Sequence, residues 1–118
     1  MKRDPIWLSL AHTGESELRY IQDAFDTRWV APLGPNVEGF EQDLECYIGQ
    51  NKHVVASSSG TAAIHLGLIQ LGIEPGDEVI CQSFTFAASA NPVKSLGANP
   101  VFVDSETDTL NLPPVFLD

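Results

Sequence analysis

The stretch that decides the fold is Ser57-Ser58-Ser59-Gly60-Thr61-Ala62-Ala63-Ile64-His65-Leu66. It follows the β-branched run 53–56 and opens an apolar helical pattern that lasts to Leu71. A strand that breaks at serine and glycine and restarts as a helix leaves backbone N–H groups unpaired, at the positive end of the helix dipole. Such a turn suits an anion such as a phosphate, and Gly60 lets the backbone approach the ligand because it has no Cβ. An ordinary N-cap made by Ser59 or Thr61 is the alternative interpretation.

The composition indicates an acidic chain of one ordinary domain's length. Its 118 residues are 43% hydrophobic and 19% charged, which is enough to bury a core. Sixteen acidic residues against six basic ones give a formal net charge of −10, which argues against nucleic acid or an anionic membrane as the main partner. We expect no signal peptide and no membrane span. Cys46 and Cys81 have neither metal nor redox spacing, so we expect no metal site and a reducing, cytoplasmic setting.

Residues 1–50 predict an extended N-terminal segment, two helices and a loop. Apolar residues at helical spacing predict one helix after an N-cap at Thr13 and a second from an N-cap at Asn36 to a stop at Gly49. The intervening segment 28–36 contains two prolines and a glycine and is therefore predicted to be a loop. Trp29 in this loop is either a binding element or a hydrophobic plug on the surface.

From residue 51 onward the pattern alternates between strands and helices. This alternation is typical of βαβ units with a parallel sheet, so the predicted fold class is α/β. The predicted helical segment within Phe86–Leu96 contains a proline, Pro92, at which the helix either begins or kinks. The predicted strands are Val54–Ala56, Glu78–Gln82 and Pro100–Asp104, and the predicted helices are Thr61–Leu71, stopped by Gly72, and a segment within Phe86–Leu96.

The helix Thr61–Leu71 is apolar on almost every side, so we expect it to be largely buried. His65 lies on this helix. We expect it to be a packed, hydrogen-bonded core residue rather than a ligand.

Two segments are expected to meet at the carboxyl edge of the parallel sheet, where ligands bind in open α/β folds. Residues 57–62 provide a phosphate cradle, and residues 83–87 provide an aromatic side chain that can lie on a planar ring. Strand alternation would let only one of Phe84 and Phe86 face the site, and core packing is the alternative role for both. A phosphate next to a flat ring is typical of a nucleotide or of pyridoxal phosphate. The dinucleotide-binding and P-loop glycine motifs are absent from the sequence.

The segment SSSGTAAIHLGLIQLGIEPGDEVICQSFTFAASANPVKSLGANPVFVD, residues 57–104, resembles the start of the large domain of the DegT/DnrJ/EryC1/StrS sugar aminotransferases. Trp29–Pro35 and Phe40-Glu41 resemble the N-terminal loop and helix of that family, so the resemblance runs from about residue 6 to the end. It implies the fold-type I, aspartate aminotransferase-like architecture with a mostly parallel sheet. Residues 51–118 would form the start of the pyridoxal phosphate-binding large domain, which would be incomplete.

The resemblance also implies a function. Members of the family use pyridoxal phosphate to transfer an amino group, usually from glutamate, to a keto group on a nucleotide-linked sugar, and a homo-oligomer is implied. The segment WVAPLGP favours C-4 of a UDP-linked 4-keto-6-deoxy sugar as the position aminated. The phosphate would be held by backbone amides and the Thr61 hydroxyl, one aromatic ring would stack on the pyridine, and the Trp29 loop would border the sugar. The residues implied in cofactor binding are Gly60, Thr61, Ala62 and Phe86, and those implied in substrate binding are Trp29, Ala31 and Pro32.

The family's Schiff-base lysine, the aspartate that pairs with the pyridine nitrogen, and the small domain have no counterpart among these 118 residues. Lys2, Lys52 and Lys94 do not lie in the context of the family's lysine motif. We therefore expect no catalytic residue here and no activity from this chain alone. A catalytically inactive interaction or oligomerisation module that reuses the fold, and a binder of another phosphate ligand, are the alternative hypotheses.

Overall fold

The computed structural model describes residues 5–7, 9–49 and 51–114. The chain divides into two compact units, Met1–Val55 and Ala56–Asp118. The sequence predicts a domain boundary between residues 50 and 51. These compact units do not test that boundary, which stays a prediction. Lys2 lies outside the described residues, as does Leu8 of the extended N-terminal segment. No helix in the described part of the chain is long and apolar enough to cross a bilayer.

The first unit contains two helices, α1 at Glu17–Asp26 and α2 at Pro35–Ile48. Both begin at a different residue from the one predicted: the N-caps are Ser16 and Gly34, not Thr13 and Asn36. Pro35 takes the first position of α2, where its fixed φ suits the helix and its missing N–H costs nothing. The proline therefore favours a start of α2 at Pro35, one residue before Asn36.

The first turn of α1 has no side-chain cap, and its first residue instead holds the segment before the helix. Glu17 accepts a hydrogen bond from the backbone N–H of Gly14, which lowers the pKa of the Glu17 carboxyl group. The side-chain cap that Thr13 was predicted to supply is therefore absent, and an acidic residue occupies the first turn, where the helix dipole favours it.

The second unit begins with α3 at Gly60–Gln70. Its N-cap is Ser59, whose Oγ accepts a hydrogen bond of 3.2 Å from the Ala62 N–H. Its C-terminal stop is the predicted Gly72, at φ +77°, and the next N–H, of Ile73, donates to the Leu68 carbonyl at 3.1 Å. This wrapped ending uses the left-handed conformation that glycine adopts without strain.

Two parallel strands follow, β1 at Glu78–Gln82 and β2 at Asn99–Val103. Glu78 pairs with Asn99 at one end of the register and Gln82 pairs with Val103 at the other. The crossover between them contains a 3₁₀ turn at Ala87–Ser89 and the short helix α4 at Asn91–Ser95. Pro92 therefore lies in the first turn of α4 and does not kink a longer helix.

The core of the second unit lies between the crossover, α3 and the strands. Its buried members are Leu68, Cys81, Val93 and Ala98, and Val93 is only 1% exposed. Packing against them are the partly buried Ile73, Val79, Ala90 and Leu96. One residue from α3, one from β1 and two from the crossover segment thus anchor the elements that carry the carboxyl edge of the sheet.

Three predictions about burial and pairing are wrong for the described residues. Val54–Ala56 is not a strand, because a strand needs a hydrogen-bonded neighbour and the only sheet in the described residues pairs β1 with β2. Leu68 is the only buried residue of α3, and Leu71 next to it is 79% exposed. His65 is half-buried, and its side chain makes no hydrogen bond within the described residues. An apolar helix is buried only as far as other elements cover it, and here they cover one side.

The turn after α4 gives a stability test. Gly97 has φ +79°, and a Cβ added there would lie 3.1 Å from Pro75 Cβ. Gly97→Ala should lower the free energy of unfolding by about 1–3 kcal/mol, because alanine is strained in this conformation. The matched control is Gly67→Ala within α3, where an added Cβ meets nothing within 4 Å. That change should raise stability by up to about 1 kcal/mol, since alanine favours a helix interior. Urea unfolding of the chain measures both, and equal effects would contradict the account of the turn.

Candidate functional site

The N-terminus of α3 presents free hydrogen-bond donors. Ser59 has extended backbone, with φ −164°, and its carbonyl accepts the Ala63 N–H at 3.0 Å while its Oγ accepts the Ala62 N–H. The N–H groups of Gly60 and Thr61 have no hydrogen-bond partner in the described part of the chain. Two amides and the Thr61 hydroxyl therefore remain available to an anion. Of the predicted phosphate donors, the Ala62 amide is the one that the cap already uses.

Gly60 is a glycine that the fold itself does not require. Its φ is not in the left-handed region, and a Cβ built on it meets nothing within 4 Å. Glycine at an ordinary helical position is less favourable than alanine. The open space over this residue suits a ligand that approaches the backbone closely.

The aromatic segment lies directly after β1. Phe84 is 66% exposed and Phe86 is 82% exposed. The expectation that strand alternation would let only one of them face the site is wrong, because residues two apart on a strand lie on the same face and both phenylalanines follow the last residue of β1. Core packing, the other predicted role, is wrong within the described residues. Phe86 precedes the 3₁₀ turn Ala87–Ser89, and α3 packs against that turn.

Residues that the sequence reasoning missed join the two strand ends. The Gln82 side-chain amide donates to the Ser105 hydroxyl at 2.7 Å and to the Leu110 carbonyl. The Ser83 hydroxyl donates to the Asp104 carboxylate at 3.2 Å. The signal that could have found them is positional: Ser83 and Asp104 each come directly after a strand, at the edge where ligands bind.

A cavity of about 320 Å³ lies beside the aromatic segment. Its polar lining residues are Gln82, Thr85 and Ser89. Cys81 also lines it, and burial raises the pKa of the Cys81 thiol, which disfavours the reactive thiolate. The remaining lining residues are apolar: Ile64, Leu68, Val79, Ile80 and Val93.

The Trp29 loop belongs to the first unit. The Trp29 ring lies against Gly34, since a Cβ added to Gly34 would be 2.9 Å from the ring atom Cε3. About half of the tryptophan surface, 51%, stays exposed, and Ala31 and Pro32 are exposed as well. The ring therefore packs on one side and is open on the other.

Lys94, the lysine of the second unit, does not lie at the carboxyl edge of the sheet. The Lys94 ammonium donates to the Asn99 side chain at 3.4 Å, next to the amino end of β2, and Lys52 belongs to the first unit. No cluster of histidine, cysteine or acidic residues in the described ranges could hold a metal ion.

Residues 11–117 match the DegT/DnrJ/EryC1/StrS aminotransferase family. The chain belongs to this family. It is 50% identical, over 96% of its length, to "Putative pyridoxal phosphate-dependent aminotransferase EpsN" of Bacillus subtilis (strain 168). It is 43% identical, over 87% of its length, to the GDP-perosamine synthase of Caulobacter vibrioides. Its structure superposes on the PMP-form of "Putative sugar aminotransferase Spr1654" from Streptococcus pneumoniae with a TM-score of 0.83 and 34% identity over 95% of the chain.

The chain spans under a third of the length of these relatives: 29% of EpsN, 28% of the perosamine synthase and 28% of Spr1654. The predicted family and the predicted fold class are confirmed. The chain forms a portion of the fold-type I, aspartate aminotransferase-like large domain, and its two strands are parallel.

The cap of α3 generates a second stability test. Ser59→Ala removes the acceptor of the Ala62 N–H and should destabilise the second unit by about 1 kcal/mol, whereas Ser59→Gly should cost only a few tenths. Ser57→Ala is the matched control, because the Ser57 side chain makes no hydrogen bond in the described chain. Thermal unfolding measures the three variants. A loss as large for Ser57→Ala as for Ser59→Ala would show that Ser59 does not act as the cap.

Proposed function

We propose that the protein carrying these residues is a pyridoxal phosphate-dependent aminotransferase that moves an amino group, with glutamate as donor, to a nucleotide-linked keto sugar. The observation that carries the proposal is the start of α3, where the N–H groups of Gly60 and Thr61 have no partner among the described residues and a Cβ added to Gly60 would meet nothing within 4 Å. The family supports it, as do relatives named for pyridoxal phosphate, for a sugar aminotransferase in its PMP-form and for perosamine synthesis.

The residues present fit the cofactor's two recognition features. A phosphate dianion needs donors and positive potential, and the helix terminus offers two amides, one hydroxyl and the dipole. A pyridine ring needs a flat apolar face, and the exposed ring of Phe86 offers one. The net charge of −10 does not oppose this mode, because backbone amides hold an anion without lysine or arginine.

Each of these residues would contribute binding and orientation. The Gly60 and Thr61 amides would fix one end of the cofactor, and the Phe86 ring would fix the plane of the other. Bound pyridoxal phosphate supplies the electron sink that amino transfer requires. The proton-transferring lysine is expected outside these 118 residues, so this chain would provide part of the binding site and none of the catalytic groups.

The substrate half of the proposal rests on the Trp29 loop. The open side of the Trp29 ring, with the exposed Ala31 and Pro32, offers an apolar surface of the kind on which sugar rings pack. We propose C-4 of a 4-keto-6-deoxy sugar as the aminated position and UDP as its carrier. One relative is named for a GDP-linked sugar, GDP-perosamine, and not for a UDP-linked one. UDP-linked and GDP-linked substrates must therefore be compared directly.

A homo-oligomer is part of the proposal. Apolar side chains such as Ile69 on α3, Leu71 directly after that helix and Phe102 on β2 are exposed in the described chain, and such surface favours association. The same observation favours the alternative function, an interaction module without catalysis. The alternative predicts association without cofactor binding.

Cofactor titration of the complete protein tests the proposal. Thr61→Val removes the hydroxyl at nearly constant volume and should weaken pyridoxal phosphate binding by about 10-fold, the value of a hydrogen bond to a charged group. Phe86→Ala should weaken it by about 2- to 10-fold through loss of ring stacking. Phe84→Ala is the matched control, an exposed phenylalanine two residues away, and should leave affinity unchanged. Isotherms from cofactor absorbance measure all three.

An unsubstituted protein that associates without binding the cofactor would contradict the proposal and support the interaction module. Equal losses for Phe84→Ala and Phe86→Ala would contradict the role of Phe86. Formation of the amino sugar from a UDP-linked and a GDP-linked 4-keto sugar, compared at equal concentration, then decides the nucleotide.

A further inference from the structure

The exits of the two strands are joined beyond the last pair of the sheet. Gln82 pairs with Val103, and the next N–H, of Ser83, still donates to the Val103 carbonyl at 2.8 Å. The Asp104 carboxylate Oδ1 then accepts two further hydrogen bonds, from the Ser83 hydroxyl at 3.2 Å and from the Ser105 N–H at 2.9 Å. One carboxylate oxygen thus holds both exits.

The exit of β2 is itself fixed. The Gln82 side-chain amide bridges to the Ser105 hydroxyl and to the Leu110 carbonyl, so β1 holds the segment that follows Asp104. The N–H of Glu106 donates to the Asn111 carbonyl at 3.0 Å and closes that segment into a turn. Asp104 therefore stands on a segment that is tethered at several points.

Local hydrogen bonds continue from Ser83 to Phe86. The Thr85 N–H donates to the Ser83 carbonyl at 3.1 Å, and the hydroxyls of Thr85 and Ser89 lie 3.1 Å apart in a hydrogen bond. The Phe86 carbonyl accepts the Ser89 N–H at 3.0 Å. The Phe86 ring is 82% exposed and has little side-chain packing, so its backbone must set its direction.

We propose that Asp104 is a positioning residue for the cofactor ring: through Ser83 it holds the backbone that presents Phe86. This inference rests on the proposed function, because the ring is useful only if a planar ligand lies on it. The hydrogen bond joins residues 21 positions apart and does not depend on the ligand. It therefore preorganises the segment before the cofactor arrives.

The test compares variants of the complete protein by pyridoxal phosphate titration. Asp104→Ala removes both hydrogen bonds to Oδ1 and should weaken binding by about 3- to 10-fold, whereas Ser83→Ala removes one of them and should weaken it by about 3-fold. Asp104→Asn keeps Oδ1 as an acceptor at constant size and should stay within about 2-fold of the unsubstituted protein. Asn99→Ala is the matched control, since it removes a side-chain hydrogen bond at the opposite end of β2 and should change nothing.

A double-mutant cycle separates positioning from general structural damage. In a Phe86→Ala background, Asp104→Ala should have no further effect on affinity, because the ring that it positions is gone. A loss of equal size in both backgrounds, or no loss in either, would overturn the inference and leave the proposed function intact. Failure of the unsubstituted protein to bind the cofactor is a separate result, which contradicts the proposed function before any variant is compared.

Amide hydrogen exchange without cofactor provides a second readout. Asp104→Ala and Ser83→Ala should speed exchange at Thr85 and Ser89, whose N–H groups close the turn around Phe86. Asp104→Asn and Asn99→Ala should leave these rates unchanged. Unchanged rates in Asp104→Ala would overturn the inference whatever the cofactor does.

Discussion

The second unit depends on the parallel pairing of β1 and β2 across a short crossover. Parallel strands must be joined by a crossover that returns over the sheet, and here that crossover is a 3₁₀ turn and one helix of five residues. It closes because Val93 and Ala98 bury almost completely against Leu68 and Cys81. Since both strands run the same way, both end at one edge, and the aromatic segment and Asp104 meet there.

Local signals in the sequence predicted the elements of this unit well. β1 has the predicted bounds, since a β-branched run lies between the turn at Asp77 and the polar Ser83. Ser59 and Gly72 mark the ends of α3, because capping chemistry belongs to a few adjacent residues. Pairing and burial were harder. Val54–Ala56 has the composition of a strand but no partner strand among the described residues. Most apolar residues of α3 are likewise not covered by another described element. Pairing and burial depend on distant parts of the chain, so the local sequence of a segment does not reveal them.

The same distinction holds for the candidate site. The free amides of Gly60 and Thr61 follow from a serine cap and a glycine next to each other in the sequence, so these donors could be predicted, and their role as a phosphate cradle stays a proposal. The hydrogen bond between Ser83 and Asp104 spans 21 residues and requires the register of two strands, so it could not. The cofactor and the proposed role of Phe86 come from family resemblance. The contact between Ser83 and Asp104, on which the proposed positioning of Phe86 rests, comes from the structure alone.

The central claim is that the start of α3 binds a phosphate group through the Gly60 and Thr61 amides. The most direct measurement is the amide chemical shifts of these two residues during parallel titrations with pyridoxal phosphate and with pyridoxal, which lacks the phosphate. The account predicts that both amides shift with pyridoxal phosphate and not with pyridoxal, while the amides at the start of α2 shift with neither. Identical shifts with both compounds, or none at Gly60 and Thr61, would contradict it.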